Sequence, residues 1–152
     1  MPAEFEFFGP GDKPALLAVS TPSTREPAKS GLESAGYKVH AAETHEQFID
    51  LFTRALYQVI VIEDVFGGAD DNPTLRWVRM LPMSQRRHAV FFLIGEKLET
   101  LNPLVAFQQS VHAVLNSSGL EQFGRLVEKT VADNESFLRP VRSAQERLLK
   151  AG

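Results

Sequence analysis

Short apolar runs alternate with segments of helical period five times along this chain, and this alternation restricts the possible folds more than any other feature. The runs cover residues 16–19, 37–41, 59–62, 90–94 and 113–115. Three of them are continuously apolar, which is typical of strands covered on both faces by helices. A repeated strand–helix order predicts a parallel sheet with right-handed crossovers and helices on both faces.

Capping residues mark where helices begin between these strands. Four such starts are visible: Thr44 with Gln47, Asn72 with Pro73, Asn102 with Pro103, and Ser118 with Glu121. The first and last pairs are capping boxes, and the other two place a cap before a proline, whose missing donor costs nothing at the first helical position. The helix after Thr44 carries an apolar stripe as far as Leu56. Pro140 must kink or break the last helix.

The chain divides into three parts. Residues 1–13, which include Phe5, Phe7 and Phe8, are expected to form an arm or linker, and residues 14–132 contain the α/β pattern. Residues 133–152 form a helical tail, with one extra short helix beyond Pro140. A chain of 152 residues has the size of one ordinary domain.

The amino-acid composition and net charge disfavour several classes of site and partner for this protein. Cysteine is absent, which removes disulfides, thiolate zinc sites and cysteine nucleophiles and is typical of a reducing, cytoplasmic location. No apolar run approaches the roughly 20 residues that span a bilayer, so no membrane partner is expected. A net charge of −3 disfavours nucleic acid. The four histidines lack metal-ligand spacing, and no metal or cofactor is predicted. The expected partner is another protein.

Two stretches carry a resemblance to a known family. Gly36-Tyr37-Lys38-Val39 enters the second strand, and Tyr-Gln-Val-Ile-Val-Ile-Glu at residues 57–63 forms the third. With the order of elements, they resemble the receiver (CheY-like) domain of bacterial response regulators over residues 14–132. The resemblance implies a flavodoxin-like three-layer α/β sandwich with a five-stranded parallel sheet in order 2-1-3-4-5, plus an extra C-terminal helix.

The resemblance also locates a phosphorylation pocket whose usual residues are missing. Active receivers use an acidic pair, an aspartate, a hydroxyl and a lysine at strand ends to hold Mg²⁺ and a phosphoryl group. The corresponding residues here are Ser20 and Thr21 for the pair, Glu63 for the aspartate, Ile94 or Gly95 for the hydroxyl, and Asn116 for the lysine. Neutral hydroxyls are poor Mg²⁺ ligands, and a carboxylate misplaced by about 1 Å can cost on the order of 10²-fold in rate. Ala113 occupies the position of the switch aromatic.

These replacements predict a degenerate receiver, or pseudo-receiver, that catalyses nothing and acts as a phosphorylation-independent interaction or dimerisation module in bacterial signalling. The resemblance implies a contact surface at Leu104, Phe107, Val111, Phe123 and Val127. Glu63 is either a built-in phosphoryl mimic or an ordinary strand-end carboxylate. Two alternatives stay open: a phosphoacceptor that uses Asp64 or Glu63, and a small-ligand sensor that uses the vacated pocket.

Other polar and aromatic residues have two interpretations each. Asp70 and Asp71 form either a solvated acidic loop, which is favoured, or a metal site. Trp77 is either an exposed anchor for a partner or packs under a neighbouring loop. A basic cluster faces either solvent, which is favoured, or an acidic partner, and it comprises Arg76, Arg79, Arg86, Arg87 and His88.

Overall fold

Five parallel strands form the centre of the computed structural model, which describes residues 11–68 and 72–151. The strands are β1 (Lys13–Ala18), β2 (Tyr37–Ala42), β3 (Val59–Glu63), β4 (Val90–Gly95) and β5 (Ala113–Asn116). They lie in the order β2-β1-β3-β4-β5, and each adjacent pair is parallel. The predicted sheet and its strand order are confirmed.

Among the described residues, six helices connect and follow the strands. They are α1 (Pro22–Ser34), α2 (His45–Arg54), α3 (Pro73–Arg79), α4 (Met83–Arg86), α5 (Pro103–Gln109) and α6 (Phe123–Ala151). Short 3-10 segments lie at Phe66–Gly68 and Leu120–Gln122. The crossover between β3 and β4 contains two helices because Pro82 lies between them and cannot continue α3.

Both faces of the sheet are covered by apolar side chains. On one face, Leu17 and Val61 pack with Leu32 of α1 and Val127 of α6. The opposite face packs against α2, α3 and α5 through a second cluster that includes Phe48. This two-sided burial is the reason that the strands are continuously apolar in sequence.

Three of the four predicted helix starts are confirmed. Thr44 Oγ1 accepts from the backbone N–H of Gln47 at 3.1 Å. Asn72 and Asn102 likewise cap α3 and α5 through their side-chain oxygens. The predicted capping box at Ser118 is wrong: the 3-10 segment after it follows Gly119 and has no side-chain cap. The Ser118 hydroxyl donates instead to Asn116 Oδ1 at 2.6 Å.

The ends of two helices differ from the predicted ones. α2 stops at Arg54, because Ala55 is already extended (φ −148°, ψ 157°) on the way to β3, and Leu56 is 72% exposed rather than part of the stripe. α6 continues through Pro140, so this proline does not break the helix, and the predicted extra short helix is the end of α6. The boundary drawn after residue 132 therefore falls inside a helix, and β1 begins at Lys13, one residue before the predicted domain. Residues 1–10 lie outside the described part of the chain.

Candidate functional site at the carboxyl ends of the strands

Glu63 ends β3 with its carboxylate turned toward the loop that leads into α1. The backbone N–H groups of Ser20 and Thr21 donate to Glu63 Oε1 at 2.9 and 3.1 Å. Thr21 is the N-cap residue of α1, and its own side chain makes no capping hydrogen bond. A carboxylate near a helix N-terminus is stabilising, because it satisfies unpaired N–H groups and complements the helix dipole. From a neighbouring strand, Glu63 therefore binds the N–H groups of the two residues that directly precede the first turn of α1, and it is only 4% exposed.

Ser20 also makes a hydrogen bond within the chain. Its Oγ accepts from the backbone N–H of Gly67 at 3.0 Å, which joins the loop after β1 to the loop after β3. Gly67 has φ of +81°, a conformation that favours glycine. The Ser20 hydroxyl thus holds two loops together.

Asn72 is a site residue that the sequence identified only as a helix cap. Its Nδ2 donates to the backbone carbonyls of Glu63 and Asp64 at 2.9 and 3.2 Å, while its Oδ1 caps α3. The side chain is buried and connects the end of β3 to the start of α3. When the side-chain oxygen of an asparagine caps a helix, its NH₂ group stays available for other hydrogen bonds. This available NH₂ group was the one sequence signal for the second role of Asn72, which is to bind the carbonyls at the end of β3.

Asp64 lies on the opposite side of the strand end from Glu63. Its backbone N–H donates to the carbonyl of Ile94 at 2.9 Å, and its carboxylate lies against Gly95, where a Cβ atom would overlap Oδ2. Burial raises the pKa of Asp64, and the nearby Glu63 carboxylate raises this pKa further. Asp64 also lines a cleft of about 320 Å³ with Arg76 and Arg79.

The side chain of Asn116 uses its full hydrogen-bonding capacity. Nδ2 donates to the carbonyls of Glu96 and Leu98 at 3.0 and 2.9 Å. Oδ1 accepts from the N–H and hydroxyl groups of Ser118 at 2.9 and 2.6 Å. Two donors and two lone pairs are the whole inventory of this amide. Asn116 therefore ties the loop after β4 to the loop after β5.

The other two strand-end positions carry no hydroxyl group. Ile94 pairs with Glu63 in the β3–β4 register, and its fully buried side chain packs in the core. Gly95 pairs with Asn116. Ala113, which the sequence resemblance assigned to the switch position, is 5% exposed and belongs to the same core cluster as Ile94.

The predicted contact surface is only partly at the surface. Leu104 and Phe107 of α5 are 63% and 82% exposed. Val111 is buried, and Phe123 and Val127 are fully buried, so their assignment to a surface is wrong. The reason is that the regular apolar stripe of α6 is its core-facing side, where Phe123 meets the ring of Phe92 edge-on at 5.7 Å.

The basic cluster and Trp77 make specific contacts. Trp77 is half-buried and meets the rings of Phe48 and Phe52 edge-on at 6.1 and 5.3 Å, which favours packing over an exposed anchor. Arg86 donates to the carbonyl of Ser110, and its burial lowers the pKa of the guanidinium.

Asp70 and Asp71 lie outside the described residues. Within residues 11–68 and 72–151, no group of three metal-ligating side chains occurs, and no helix could cross a membrane.

Solved structures show the same arrangement of strands and helices. A response regulator from Thermotoga maritima matches with a TM-score of 0.64 at 11% identity, over 80% of this chain and 98% of that one. A CheY-like receiver domain protein from Methanospirillum hungatei matches with a TM-score of 0.65 at 12% identity, over 83% and 98%. The fold is that of a response-regulator receiver domain. An orphan response regulator of H. pylori shares this receiver fold with a TM-score of 0.60 at 15% identity, over 80% of this chain and 98% of that one.

No protein-family model and no curated protein matches the sequence. Identities of 11 to 15% show a shared receiver fold and leave the activity to be argued from the pocket residues of this chain.

Proposed function

We propose that this chain is a pseudo-receiver module that binds a protein, either a partner in a signalling system or a second copy of itself, without phosphoryl transfer and without catalysis. One observation carries the proposal. The strand-end groups that would serve phosphorylation in a receiver fold are bonded here to the chain's own backbone, as Glu63 and Asn116 illustrate.

A magnesium ion has poor ligands in this pocket. Mg²⁺ dehydrates reluctantly and is usually held by one or two carboxylates in octahedral geometry. Glu63 has an oxygen committed to two N–H donors, and the Ser20 hydroxyl accepts from Gly67. Coordination through Glu63 Oε1 or Ser20 Oγ would compete with these hydrogen bonds. A phosphoryl donor also needs access to the attacking oxygen, and Glu63 is almost completely buried.

The groups that transmit phosphorylation in the family are also replaced. Asn116 has no free donor for a phosphoryl oxygen, since both Nδ2 hydrogens are bonded to loop carbonyls. Ala113 has no side-chain rotamer to switch. These features support a surface around α5 that is held in one conformation and available for binding without modification.

Exposed apolar side chains on that surface support a protein partner. Phe107 and Leu104 project from α5, and Met83 of the neighbouring α4 is 64% exposed. Large exposed aromatic and methionine side chains are enriched in the central parts of protein interfaces. α5 presents its two residues rigidly, because Asn102 caps its start and Ser110 ends it in the left-handed conformation.

Titration of the ¹⁵N-labelled chain with Mg²⁺ and beryllium fluoride, followed by amide NMR, tests the absence of phosphoryl chemistry. We expect no saturable shifts at Glu63, Asp64 or Asn116. Saturable shifts centred on those residues would show a working phosphoryl site and would contradict the proposal. Intact mass after incubation with acetyl phosphate gives a second measurement, for which a mass increase of one phosphoryl group is the contrary result.

Sedimentation equilibrium tests whether the partner is a second copy. If the α5 surface mediates self-association, Phe107→Ser should lower the association constant by about tenfold or more, as expected for an interface hot spot worth at least 1.4 kcal/mol. Leu148→Ser is the matched control, because Leu148 is similarly exposed on the distant end of α6. A monomer at all concentrations would contradict the second copy as the partner.

A further inference from the structure

A groove lies beside the amino ends of β4 and β5, at the opposite edge of the sheet from the strand-end site. It has a volume of about 390 Å³ and is formed by α4, α5, the residues that precede β5, and the middle of α6. Sites for small molecules typically have volumes of roughly 300–1,000 Å³ and a mainly apolar lining with a few polar groups. The groove is therefore large enough to hold a small organic molecule.

The lining of the groove is mainly apolar. Phe107 of α5 and Phe137 of α6 are 82% and 78% exposed, so both rings are accessible from solvent. Covering these rings with an apolar ligand would remove apolar surface from water, which favours binding. The apolar residues of the lining are Met83, Ala106, Phe107, Val111, Phe137 and Leu138.

His112 lines the groove without adding charge at neutral pH. Its Nδ1 accepts from the backbone N–H of Phe91 at 3.0 Å, which requires this nitrogen to be unprotonated. Burial lowers the pKa of His112 and the neighbouring Arg86 lowers this pKa further, whereas a hydrogen bond to Asn134 partly opposes both effects. The imidazole is therefore neutral, and its Nδ1 is already bonded to the protein's own backbone.

The charge of the groove comes from two arginines. Arg86 and Arg87 lie on its α4 side, and no acidic side chain is among the described residues that line it. Arg86 is held in place by the carbonyl of Ser110 and by the ring of Phe91, over which its guanidinium lies at 5.2 Å. Arg87 is exposed. A guanidinium has five N–H donors in a planar fork that matches a carboxylate, so the bond to Ser110 leaves donors of Arg86 for a ligand.

We propose that this groove binds a small monocarboxylate with an apolar body. The body lies against Phe107 and Phe137, and the carboxylate accepts from the guanidinium groups of Arg86 and Arg87. The apolar lining and the positive charge together select this class, because each ligand feature has its own partner in the groove.

Amide NMR of the full chain during titration with sodium octanoate tests the proposal. We expect saturable shifts at Val111, His112 and Phe137, with a Kd of about 1 mM or lower for an efficient ligand of about ten non-hydrogen atoms. Sodium 3-phenylpropionate tests an aromatic body and should shift the same amides. Absence of saturable shifts there with both ligands would overturn the proposal. Larger shifts at residues 52–57, which line a separate cleft, would also overturn it.

Ligands that lack one of the two features separate charge from apolar burial. Octan-1-ol has the apolar chain without the charge, octylammonium has the opposite charge, and acetate has the carboxylate without the chain. We expect each to bind at least about threefold more weakly than octanoate. Equal binding of octan-1-ol or octylammonium would contradict the role of the arginines, and equal binding of acetate would contradict the role of the apolar lining.

Substitutions in the groove test the two contacts separately. Arg87→Gln should weaken octanoate binding about threefold and leave octan-1-ol binding unchanged. Arg125→Gln, at an exposed position elsewhere on α6, is the matched control and should change neither. Phe137→Ser should weaken both ligands, whereas Leu104→Ser, exposed on α5 outside the lining, should weaken neither. An equal effect of Arg87→Gln on both ligands would contradict a contact between Arg87 and the carboxylate.

Dilution of the ligand-free chain tests for a second copy in the groove. We expect the amide shifts of Val111, His112 and Phe137 to stay constant on dilution. Concentration-dependent shifts at these amides that saturating octanoate does not abolish would assign the groove to a second copy and overturn the proposal. This proposal and the proposed function fail separately, because the magnesium and beryllium fluoride titration reports on the strand-end site and the octanoate titration reports on the groove.

Discussion

The α-carbon of Gly124 in α6 lies against the backbone of Gly31 in α1, so closely that a Cβ atom on Gly124 would be 2.8 Å from the Gly31 carbonyl oxygen. The same Cβ would lie 2.9 Å from Ser34 Oγ. Two glycines thus allow the helices on one face of the sheet to approach each other directly. This contact holds the start of α6 over the core.

Gly124→Ala should therefore destabilise the protein although alanine favours helices. Overpacking costs about 1–3 kcal/mol, and the gain in helix propensity of about 1 kcal/mol offsets only part of it. We expect urea denaturation to show a net loss of up to about 2 kcal/mol. Gly119→Ala is the matched control, since its Cβ would have no neighbour closer than 3.8 Å. An unchanged or increased free energy of unfolding for Gly124→Ala would mean that the helices separate at little cost.

Glu63→Ala should remove the acceptor that the N–H groups of Ser20 and Thr21 share. Hydrogen bonds to a charged group contribute about 1.5–3 kcal/mol, and we expect a loss of that size in urea denaturation. Glu63→Asp introduces the residue that active receivers carry, yet its shorter side chain should weaken the same contacts and lower stability by about 1 kcal/mol. Glu63→Gln keeps an acceptor and should cost least. Phosphorylation of the Glu63→Asp variant by acetyl phosphate would show that Glu63 alone blocks the chemistry.

The pH dependence of stability should report on Asp64. Its pKa is raised in the folded protein, chiefly by burial and then by Glu63, so the folded state binds a proton more tightly than the unfolded state does. The stability contribution of Asp64 is therefore fully present below its unfolded pKa of about 4 and is lost as the pH rises through its folded pKa. Urea denaturation between pH 3 and pH 7 should show Asp64→Asn gaining stability relative to the unmodified chain as the pH rises. Asp133→Asn, at an exposed position on α6, is the control. A pH-independent difference for Asp64→Asn would contradict the raised pKa.

Asn116→Lys should not restore a receiver pocket but should loosen two loops. Lysine has no acceptor for Ser118 and no planar amide to bridge the carbonyls of Glu96 and Leu98. We expect faster hydrogen exchange of the Ser118 amide and a loss of about 1–3 kcal/mol in the free energy of unfolding. Glu121→Lys introduces the same residue at a nearby exposed position and serves as the control. Unaltered exchange at Ser118 would mean that the loops hold their conformation without Asn116.

Local sequence patterns were sufficient for the fold because they report on burial and on backbone geometry within a few residues. The continuous apolar runs predicted doubly covered strands, and the caps at Asn72 and Asn102 formed because their partners lie two or three residues ahead. The prediction from local sequence failed at Ser118, because its hydroxyl could bond either to the start of the next helix or to the side chain of Asn116. It bonds to Asn116 because β5 ends there and the chain turns before α6 starts.

The hydrogen bonds of the strand-end site join residues that are far apart in the sequence, so no pattern within a few residues predicts them. Glu63 receives its hydrogen bonds from residues 42 and 43 positions earlier, and Asn116 reaches carbonyls 18 and 20 positions earlier. The buried places of Phe123 and Val127 likewise follow from the packing of α6 against α1 and the sheet. Sequence therefore specified which residues stand at the strand ends, since strand ends follow from periodicity. Their hydrogen-bond partners were set by the parallel sheet, which brings distant loops together at one edge.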